Sequence, residues 1–192
     1  MTRRLHLVRH GPPVIDPASP PHRWGLDGAG LPAISQLRTS GTLPADARWF
    51  SSPEPKALAT AMRLTDSEVI VVEALREQER AITPWFEERR EWVELVGNAF
   101  TRPDVAAHPG WEPLAATRER VSQAVRRILA DHPSSEIVLV GHGTAWTALK
   151  AELTGEPPDL DGWAALGMPD LWVVDLPAVD GSISGTTCGQ PT

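Results

Sequence analysis

The chain has 192 residues, which is enough for one domain with a full hydrophobic core and too few for two domains of ordinary size. Hydrophobic residues make up 41% and charged residues 22%, a composition typical of soluble globular proteins. The formal net charge of −7 argues against a general nucleic-acid-binding protein, and the single cysteine, Cys188, excludes a disulfide framework.

The hydropathy of the chain predicts a protein that is neither secreted nor inserted in a membrane. The first apolar run, residues 5–8, is far too short for the apolar core of a signal peptide. No stretch approaches the roughly 18 consecutive apolar residues that a membrane span requires. We therefore expect a soluble, cytoplasmic protein that binds neither membranes nor nucleic acid. The helix faces show no sustained heptad pattern, so the sequence predicts no oligomeric state.

Predicted strands and helices alternate along the chain. In chain order the first elements are a strand at 5–8, a proline-rich loop at 11–22, a helix at 31–37, a strand at 49–50, a helix at 55–64, a strand at 68–72 and a polar loop at 74–82. The remaining elements are a helix at 84–96, a loop at 102–113, a helix at 114–132, a strand at 137–140, a helix at 144–153 and a strand at 171–176.

This alternation, with strands that are apolar on both faces, predicts an α/β fold in which helices sandwich a mainly parallel sheet. Residues 1–179 are expected to form one domain. About residues 77–112 are expected to insert as a small cap over the active site, and residues 180–192 to form a polar C-terminal tail.

Two histidine triplets follow predicted strands and are the most informative motifs. An Arg-His-Gly triplet, centred on His10, directly follows the strand at 5–8, and a Gly-His-Gly triplet, centred on His142, directly follows the strand at 137–140. Because ligands of such sheets bind at the carboxyl ends of the strands, both histidines are expected in one site. One triplet alone would match by chance, but the pair indicates phosphoryl transfer through a histidine.

The residues around His10 suit a phosphoryl group. A neutral imidazole can attack phosphorus and form a phosphohistidine, so His10 is the candidate nucleophile. The transferred group carries negative charge, which the guanidinium of Arg9 can bind and a ring nitrogen of His142 can hydrogen-bond. Gly11 and Gly143 allow the backbone to pass close to a bound oxyanion.

Further segments are expected near the same pocket. Residues 51–61, Ser-Ser-Pro-Glu-Pro-Lys-Ala-Leu-Ala-Thr-Ala, end a strand and open a helix, so Lys56 can offer a positive charge to phosphate. The helix predicted from Thr144 points its unpaired amides toward the same place. The leaving oxygen needs a proton donor, for which the acidic loop offers Glu77 and Glu79.

Taken together, these motifs resemble the histidine phosphatase superfamily, also called phosphoglycerate-mutase-like. The likeness covers about residues 4–176 and rests on four motifs in matching order: Arg-His-Gly at 9–11, Ser-Ser-Pro-x-x-(basic)-Ala-x-x-Thr-Ala at 51–61, Leu-x-Glu at 75–77 and Gly-His-Gly at 141–143. The resemblance implies a three-layer α/β/α fold, a phosphohistidine intermediate and no requirement for a metal or other cofactor.

The resemblance also implies roles for individual residues. His10 is the implied nucleophile, and Arg9 and His142 belong to the implied phosphate pocket. Lys56 takes the place of the family's second pocket arginine, and Glu77, in Leu-Arg-Glu, takes that of the proton donor.

Three residues are implied as supporting elements: Gly11, Ser52 and Thr144, the last offering its amide to the phosphate. The chain departs from the family pattern at Lys56, which keeps the positive charge but loses the planar fork of an arginine. Residues 80–82, Arg-Ala-Ile, replace a pattern that usually has a glycine and a tryptophan. Residues 12–14, Pro-Pro-Val, replace the common acidic-Thr continuation, so the near wall of the pocket is changed.

Three functions are compatible with these residues. The favoured one is a phosphomonoester phosphatase acting on a small phosphorylated metabolite, in which His10 expels the alcohol and water then hydrolyses the phosphohistidine. A phosphoglycerate-mutase-type phosphotransferase is less favoured, because glutamates balance the arginines of residues 83–112. A non-catalytic sensor of phosphate ligands is the third. Neither Gly-x-Ser-x-Gly nor His-Glu-x-x-His occurs, which disfavours serine and metal hydrolases.

Overall fold

A five-stranded sheet forms the centre of the structure, a computed structural model that describes residues 3–81, 86 and 88–176. Its strands are β1 (Arg3–Arg9), β2 (Arg48–Ser51), β3 (Val69–Val71), β4 (Ile137–Gly141) and β5 (Asp170–Leu176). The strand order is β3-β2-β4-β1-β5. Strands β1 to β4 pair in parallel, and only the edge strand β5 runs antiparallel to its neighbour β1. The predicted mainly parallel sheet is therefore confirmed.

The helices of the described residues are α1 (Leu31–Thr39), α2 (Pro55–Leu64), α3 (Arg89–Thr101), α4 (Leu114–Asp131), α5 (Gly143–Thr154) and α6 (Leu160–Ala165). Apolar side chains alternate between the two faces of the sheet, as strand geometry requires. On β1, Leu5 and Leu7 pack in a core cluster with α4 and α5, whereas Val8 packs in a second cluster with α1 and α2. The predicted three-layer sandwich is therefore confirmed. None of these helices is long and apolar enough to cross a bilayer.

The predicted start of the helix at 84–96 is wrong: α3 begins at Arg89, because Glu88 has an extended backbone with φ −109° and ψ 130°. Positions 84, 85 and 87 lie outside the described residues. The helix also continues past position 96 to Thr101, although Gly97 is a poor helix former. Ala99 and Phe100 pack with residues of α4 and α5, and this tertiary contact outweighs the local propensity.

Helix α6 was not predicted from the sequence, where the prolines at 157–158 indicated a break. Asp159 begins it, since its carboxylate accepts the backbone N–H of Gly162 at 2.8 Å. The helix buries Trp163 against residues of α3. The predicted tail at 180–192 lies outside the described residues.

The sheet brings three strand ends together at one edge. Strands β2, β4 and β1 are neighbours, and their register places Ser52, His142 and His10 directly after the last paired residues. Backbone hydrogen bonds extend the alignment, because His10 N donates to Gly141 O and Ser52 N donates to Val140 O, each at 2.9 Å. Two chain segments about 130 residues apart thus meet as the two triplets predicted.

Residues 77–112 leave the sheet after β3 and return at the start of α4. The two ends of this segment pair in an antiparallel bridge between Arg80 and Trp111. Arg120 of α4 holds both ends, because its guanidinium donates to the carbonyls of residues 74, 76 and 77 and to the carboxylate of Glu112, over 2.6–3.1 Å. The base of the segment is therefore fixed on the helical layer.

Candidate active site

A cavity of about 610 Å³ opens at the carboxyl ends of β1, β2 and β4. Six of the residues predicted from the sequence line it: Arg9, His10, Lys56, Glu77, His142 and Thr144. Gly11 and Ser52 are buried next to these residues and are not part of the lining. The structure therefore brings the predicted residues together, with two of them supporting the wall from behind.

The two histidines stand edge to face at the bottom of the site. Their ring centroids are 5.3 Å apart and the rings are inclined by 66°. His10 is 7% exposed and His142 is fully buried. Since both rings are almost dry, their protonation is set by their immediate neighbours rather than by bulk water.

The hydrogen bonding of His10 defines its tautomer. Nδ1 lies 2.6 Å from the carbonyl oxygen of Gly11, and a carbonyl only accepts, so Nδ1 carries the proton and Nε2 keeps its lone pair. Burial holds the pKa of His10 well below its ordinary value of 6.5, and the nearby His142 and Lys56 lower it further. His10 is therefore a neutral imidazole at physiological pH, with the nucleophilic nitrogen available.

His142 is held through its other ring nitrogen. Nε2 lies 2.7 Å from the Ser52 hydroxyl and 3.4 Å from Oε1 of Glu54. Burial lowers the pKa of His142 to about 3, against the opposing effect of Glu77. Its Nδ1 is buried without a hydrogen-bond partner among the described residues. A buried, unpaired ring nitrogen at the wall of a cavity is suited to a polar group of a ligand.

The guanidinium of Arg9 has one nitrogen held by the protein and another without a hydrogen-bond partner among the described residues. One terminal nitrogen donates to the carbonyls of Leu166 and Gly167 at 3.1 and 3.2 Å, while Nε is buried without a partner among the described residues. Gly143 permits the close approach, since a Cβ there would lie 3.2 Å from Nε of Arg9. Burial lowers the pKa of Arg9 below its ordinary value, and the guanidinium nevertheless stays charged at neutral pH.

Gly11 is tightly packed, but on the side away from the cavity. Its amide donates to the Thr60 hydroxyl at 3.0 Å. A Cβ at this position would lie 2.8 Å from side-chain atoms of both Leu26 and Ile34. The glycine is therefore required by the core beside α1 and α2, and through that packing it fixes the backbone that carries His10.

Lys56 is buried beside a carboxylate that the sequence analysis did not single out. Its ammonium donates to Oε2 of Glu54 at 2.5 Å and to the carbonyl of Pro21 at 2.7 Å. The other carboxylate oxygen, Oε1, accepts the backbone N–H of Glu77 at 2.9 Å. Glu54 thus touches three elements of the site, including His142. Its only sequence signal is its position two residues before one of the two lysines.

Glu77 occupies the N-terminus of α5. Its carboxylate accepts the backbone N–H of Gln78 at 2.9 Å, of Ala145 at 3.0 Å and of Thr144 at 3.2 Å. The resemblance assigns the Thr144 amide to the phosphate, but in this structure that amide donates to the carboxylate of Glu77. Glu79 is exposed at the rim, so of the two candidate acids Glu77 is the one held inside the site.

Arg80 is another cation of the cavity wall, and the sequence analysis did not predict it as a site residue. Its guanidinium lies 4.7 Å from the ring centroid of Trp92 and 4.6 Å from that of Trp111. It donates to the Gln78 side chain and, at 3.1 Å, to the Thr144 hydroxyl. The loop that carries Arg80 is rich in charged residues, so its sequence predicts a solvated surface. The tryptophans that bury Arg80 are distant from it in sequence and give no local signal.

Around the neutral imidazole of His10, the cavity lining carries the cations Arg9, Lys56 and Arg80 and the carboxylates Glu54 and Glu77. Two further arginines, at 76 and 89, and three further glutamates, at 73, 79 and 88, also line the cavity. Such an arrangement can bind an anion and attack it with a nitrogen nucleophile. Among the described residues no group of three or more His, Cys, Asp or Glu side chains is placed to hold a metal ion.

Comparison with known families identifies the class of protein. The model of the histidine phosphatase superfamily (branch 1) matches residues 5–170. The chain therefore belongs to the histidine phosphatase superfamily, as its motifs predicted. The sequence has no significant match among curated proteins.

Solved structures of low sequence identity share the fold. A mycobacterial glucosyl-3-phosphoglycerate phosphatase in complex with VO3 is 24% identical, with a TM-score of 0.67 over 89% of this chain and 90% of that one. The Bacillus stearothermophilus protein YhfR is 20% identical, with a TM-score of 0.69 over 92% of both chains. An Entamoeba histolytica phosphoserine phosphatase variant in complex with phosphoserine is 18% identical, with a TM-score of 0.66 over 89% of both chains.

Proposed function

We propose that the protein is a phosphomonoester phosphatase that acts on a small organic phosphate through a phosphohistidine on His10. The observation that carries the proposal is the state of His10, a neutral ring with the proton on Nδ1 and the lone pair on Nε2, at the wall of a cavity lined by cations. Superfamily membership supports phosphoryl chemistry, and two of the fold relatives are named as phosphatases.

In the first half-reaction the phosphoryl group lies against Arg9, Lys56 and His142. The bound phosphoryl group competes with the Glu77 carboxylate for the amides at the N-terminus of α5, and the displaced carboxylate takes up a proton from solvent beside the bound anion. Nε2 of His10 then attacks phosphorus, the N–P bond forms as the P–O bond to the alcohol breaks, and the leaving oxygen takes that proton from Glu77.

In the second half-reaction Glu77, now a carboxylate, takes a proton from a water molecule. The water oxygen attacks phosphorus, the N–P bond breaks, and inorganic phosphate leaves with His10 restored to its neutral form. During both steps His142 is a neutral ring whose single proton is on Nδ1, which donates to a phosphoryl oxygen, while Nε2 accepts from the Ser52 hydroxyl. No metal enters either step.

Residues 77–112 act in this proposal as a cap that forms one wall of the cavity. Arg80, Phe86 and Trp92 of this segment line it. A mutase of the phosphoglycerate type would have to keep the phosphoryl group away from water, and the mixed charges of the cap do not favour that reaction. We place the enzyme in the cytoplasm, as its sequence predicted.

The proposal is tested by assaying the purified protein with p-nitrophenyl phosphate in EDTA between about pH 5 and about pH 8. We expect turnover that is lost in His10→Ala and retained in His108→Ala, a matched change at a half-buried histidine that does not line the cavity. Rapid alkaline quenching should trap a phosphoryl group on His10. Turnover that survives His10→Ala would contradict the proposal. Phosphate-ester binding without turnover in the wild type would favour the sensor, and exchange between hydroxyls of phosphoglycerate would favour the mutase.

A further inference from the structure

A buried carboxylate lies where the proposed function places an anion. Glu54 is 5% exposed and lines the cavity together with His10 and Lys56. A negative charge there repels a phosphoryl group, and it is poorly screened because the carboxylate is buried. Because the charge of Glu54 directly opposes phosphate binding, Glu54 can favour binding only through another interaction that outweighs this repulsion.

That contribution is found in the contacts of Lys56. An ammonium group has three N–H donors. Glu54 Oε2 takes one of them at 2.5 Å, and the Pro21 carbonyl takes another at 2.7 Å. The remaining N–H is the one left for a ligand in the cavity that Lys56 lines. The flexible side chain is thereby fixed before any ligand arrives.

Fixing Lys56 matters because a lysine lacks the geometry of an arginine. The guanidinium is a planar fork that meets phosphate through two parallel bonds, whereas the ammonium is a point charge on four rotatable bonds. A free lysine loses most of its rotamer freedom when it binds an anion, and this loss weakens binding. When two protein acceptors already hold the ammonium, the side chain loses its rotamer freedom when the protein folds and not when the anion binds.

We propose that Glu54 is a positioning residue that fixes the Lys56 ammonium for phosphate binding, so that the affinity of the site for an anion depends on a buried carboxylate. The inference rests on the proposed function, since it assumes that the phosphoryl group binds beside His10 and Lys56. Oε1 of the same carboxylate also holds the Glu77 backbone N–H, which keeps the position of Glu54 defined on both of its oxygens.

The two effects of Glu54 predict opposite outcomes for one substitution. The experiment measures the Kd of inorganic phosphate for the full-length protein by isothermal titration calorimetry. If Glu54 acted only through its charge, Glu54→Gln would tighten phosphate binding. Positioning predicts that Glu54→Gln weakens binding by about tenfold, the order expected for restored lysine rotamer freedom. Tighter or unchanged binding overturns the proposal.

A double-mutant cycle with Lys56 tests whether the effect passes through the ammonium. With Lys56→Met, adding Glu54→Gln should no longer weaken binding and should tighten it, because only the repulsion is left to remove. With Lys56→Arg, adding Glu54→Gln should change the Kd by less than about twofold, since a guanidinium does not need the anchor. A tenfold loss in either background contradicts the proposal. Glu73→Gln, which removes an exposed carboxylate of the same cavity, should not weaken binding.

These outcomes separate the inference from the proposed function. Turnover of p-nitrophenyl phosphate by the wild type tests the function, and the positioning role predicts that Glu54→Gln raises KM more than it lowers kcat. A wild type that turns over substrate while Glu54→Gln leaves the phosphate Kd unchanged overturns the inference alone. If Glu54→Gln does not fold, Glu54→Asp gives the comparison, because it keeps the negative charge but shortens the side chain that holds the Lys56 ammonium. Positioning predicts that Glu54→Asp weakens phosphate binding, and unchanged or tighter binding overturns the inference.

Discussion

The carboxylate of Glu77 caps the helix that follows His142, and its Oε2 accepts the Thr144 amide at 3.2 Å. The next amide of α5 donates to the other oxygen at 3.0 Å. Backbone donors of this kind also suit a phosphate. In the proposed mechanism, substrate binding and the release of Glu77 are therefore coupled, because both anions compete for the same N–H groups.

Glu77→Gln tests this acid, because the amide keeps a hydrogen-bond acceptor but cannot give the required proton. With an alkyl phosphate we expect kcat to fall by about 10²- to 10⁴-fold. With p-nitrophenyl phosphate the fall should be much smaller, since nitrophenolate leaves without protonation. Steady-state kinetics on the two substrates measures the difference. Equal losses on both would contradict the assignment, and Glu79→Gln at the rim is the matched control.

Acid conditions should destabilise the fold through three buried histidines, His6, His10 and His142, because burial lowers the pKa of each. The pKa of His142 is about 3 in the folded protein against the ordinary 6.5, and that of His10 is lowered in the same direction. Between these values the unfolded chain binds protons that the folded chain does not. The free energy of unfolding therefore falls as pH drops below 6.5, by up to about 1.4 kcal/mol per pH unit for each histidine.

Urea unfolding at about pH 7, 6 and 5 measures this dependence. His142→Gln should make the unfolding free energy depend less steeply on pH, by up to the contribution of one bound proton. This change in slope is expected whatever the effect of the substitution on stability at pH 7. His108→Gln, at a half-buried histidine outside the cavity, serves as the control. A wild-type unfolding free energy that stays constant over this range would refute the prediction.

Arg80→Lys should destabilise the cap end of the cavity, since an ammonium cannot contact both indole rings and also reach the Gln78 and Thr144 side chains. We expect a loss of about 1–2 kcal/mol in the free energy of unfolding, measured by chemical denaturation. Arg90→Lys is the matched control on the exposed face of α3, where the change should stay within about 0.5 kcal/mol. Equal effects of the two substitutions would argue against a structural role for the stacked cation.

Gly143→Ala should weaken phosphate binding, because the added Cβ would lie 3.2 Å from both Nε of Arg9 and a methyl group of Leu166. The guanidinium must then move by a few tenths of an ångström, and we expect KM to rise several-fold. Gly97→Ala is the opposite control: its Cβ meets nothing within 4 Å, so the change should stabilise α3 by about 0.5–1 kcal/mol. An unchanged KM in Gly143→Ala would show that Arg9 adjusts without loss.

The position of the histidines could be predicted from the sequence because the signal was local. Each of His10 and His142 follows an apolar run that reads as a strand, and parallel strands place their ends at one edge. Glu54 and Arg80 carried no such signal. Their burial depends on partners that are distant in sequence, such as Trp111, so in the sequence they look like any surface charge. The same reason explains α3, whose bounds follow packing partners in α4 and α5 rather than its own residues.

Arg120 has a consequence for how this enzyme class can diversify. Arg120 donates to the carbonyls of residues 74, 76 and 77 and to the carboxylate of Glu112. These bonds fix the segment that carries Glu77 to α4 and do not hold the outer part of the cap. If the proposed function holds, substitutions between positions 81 and 110 should reshape the wall that meets the alcohol without displacing Glu77. The proposed acid and the proposed substrate wall would then be anchored separately, so that one could evolve while the other is conserved.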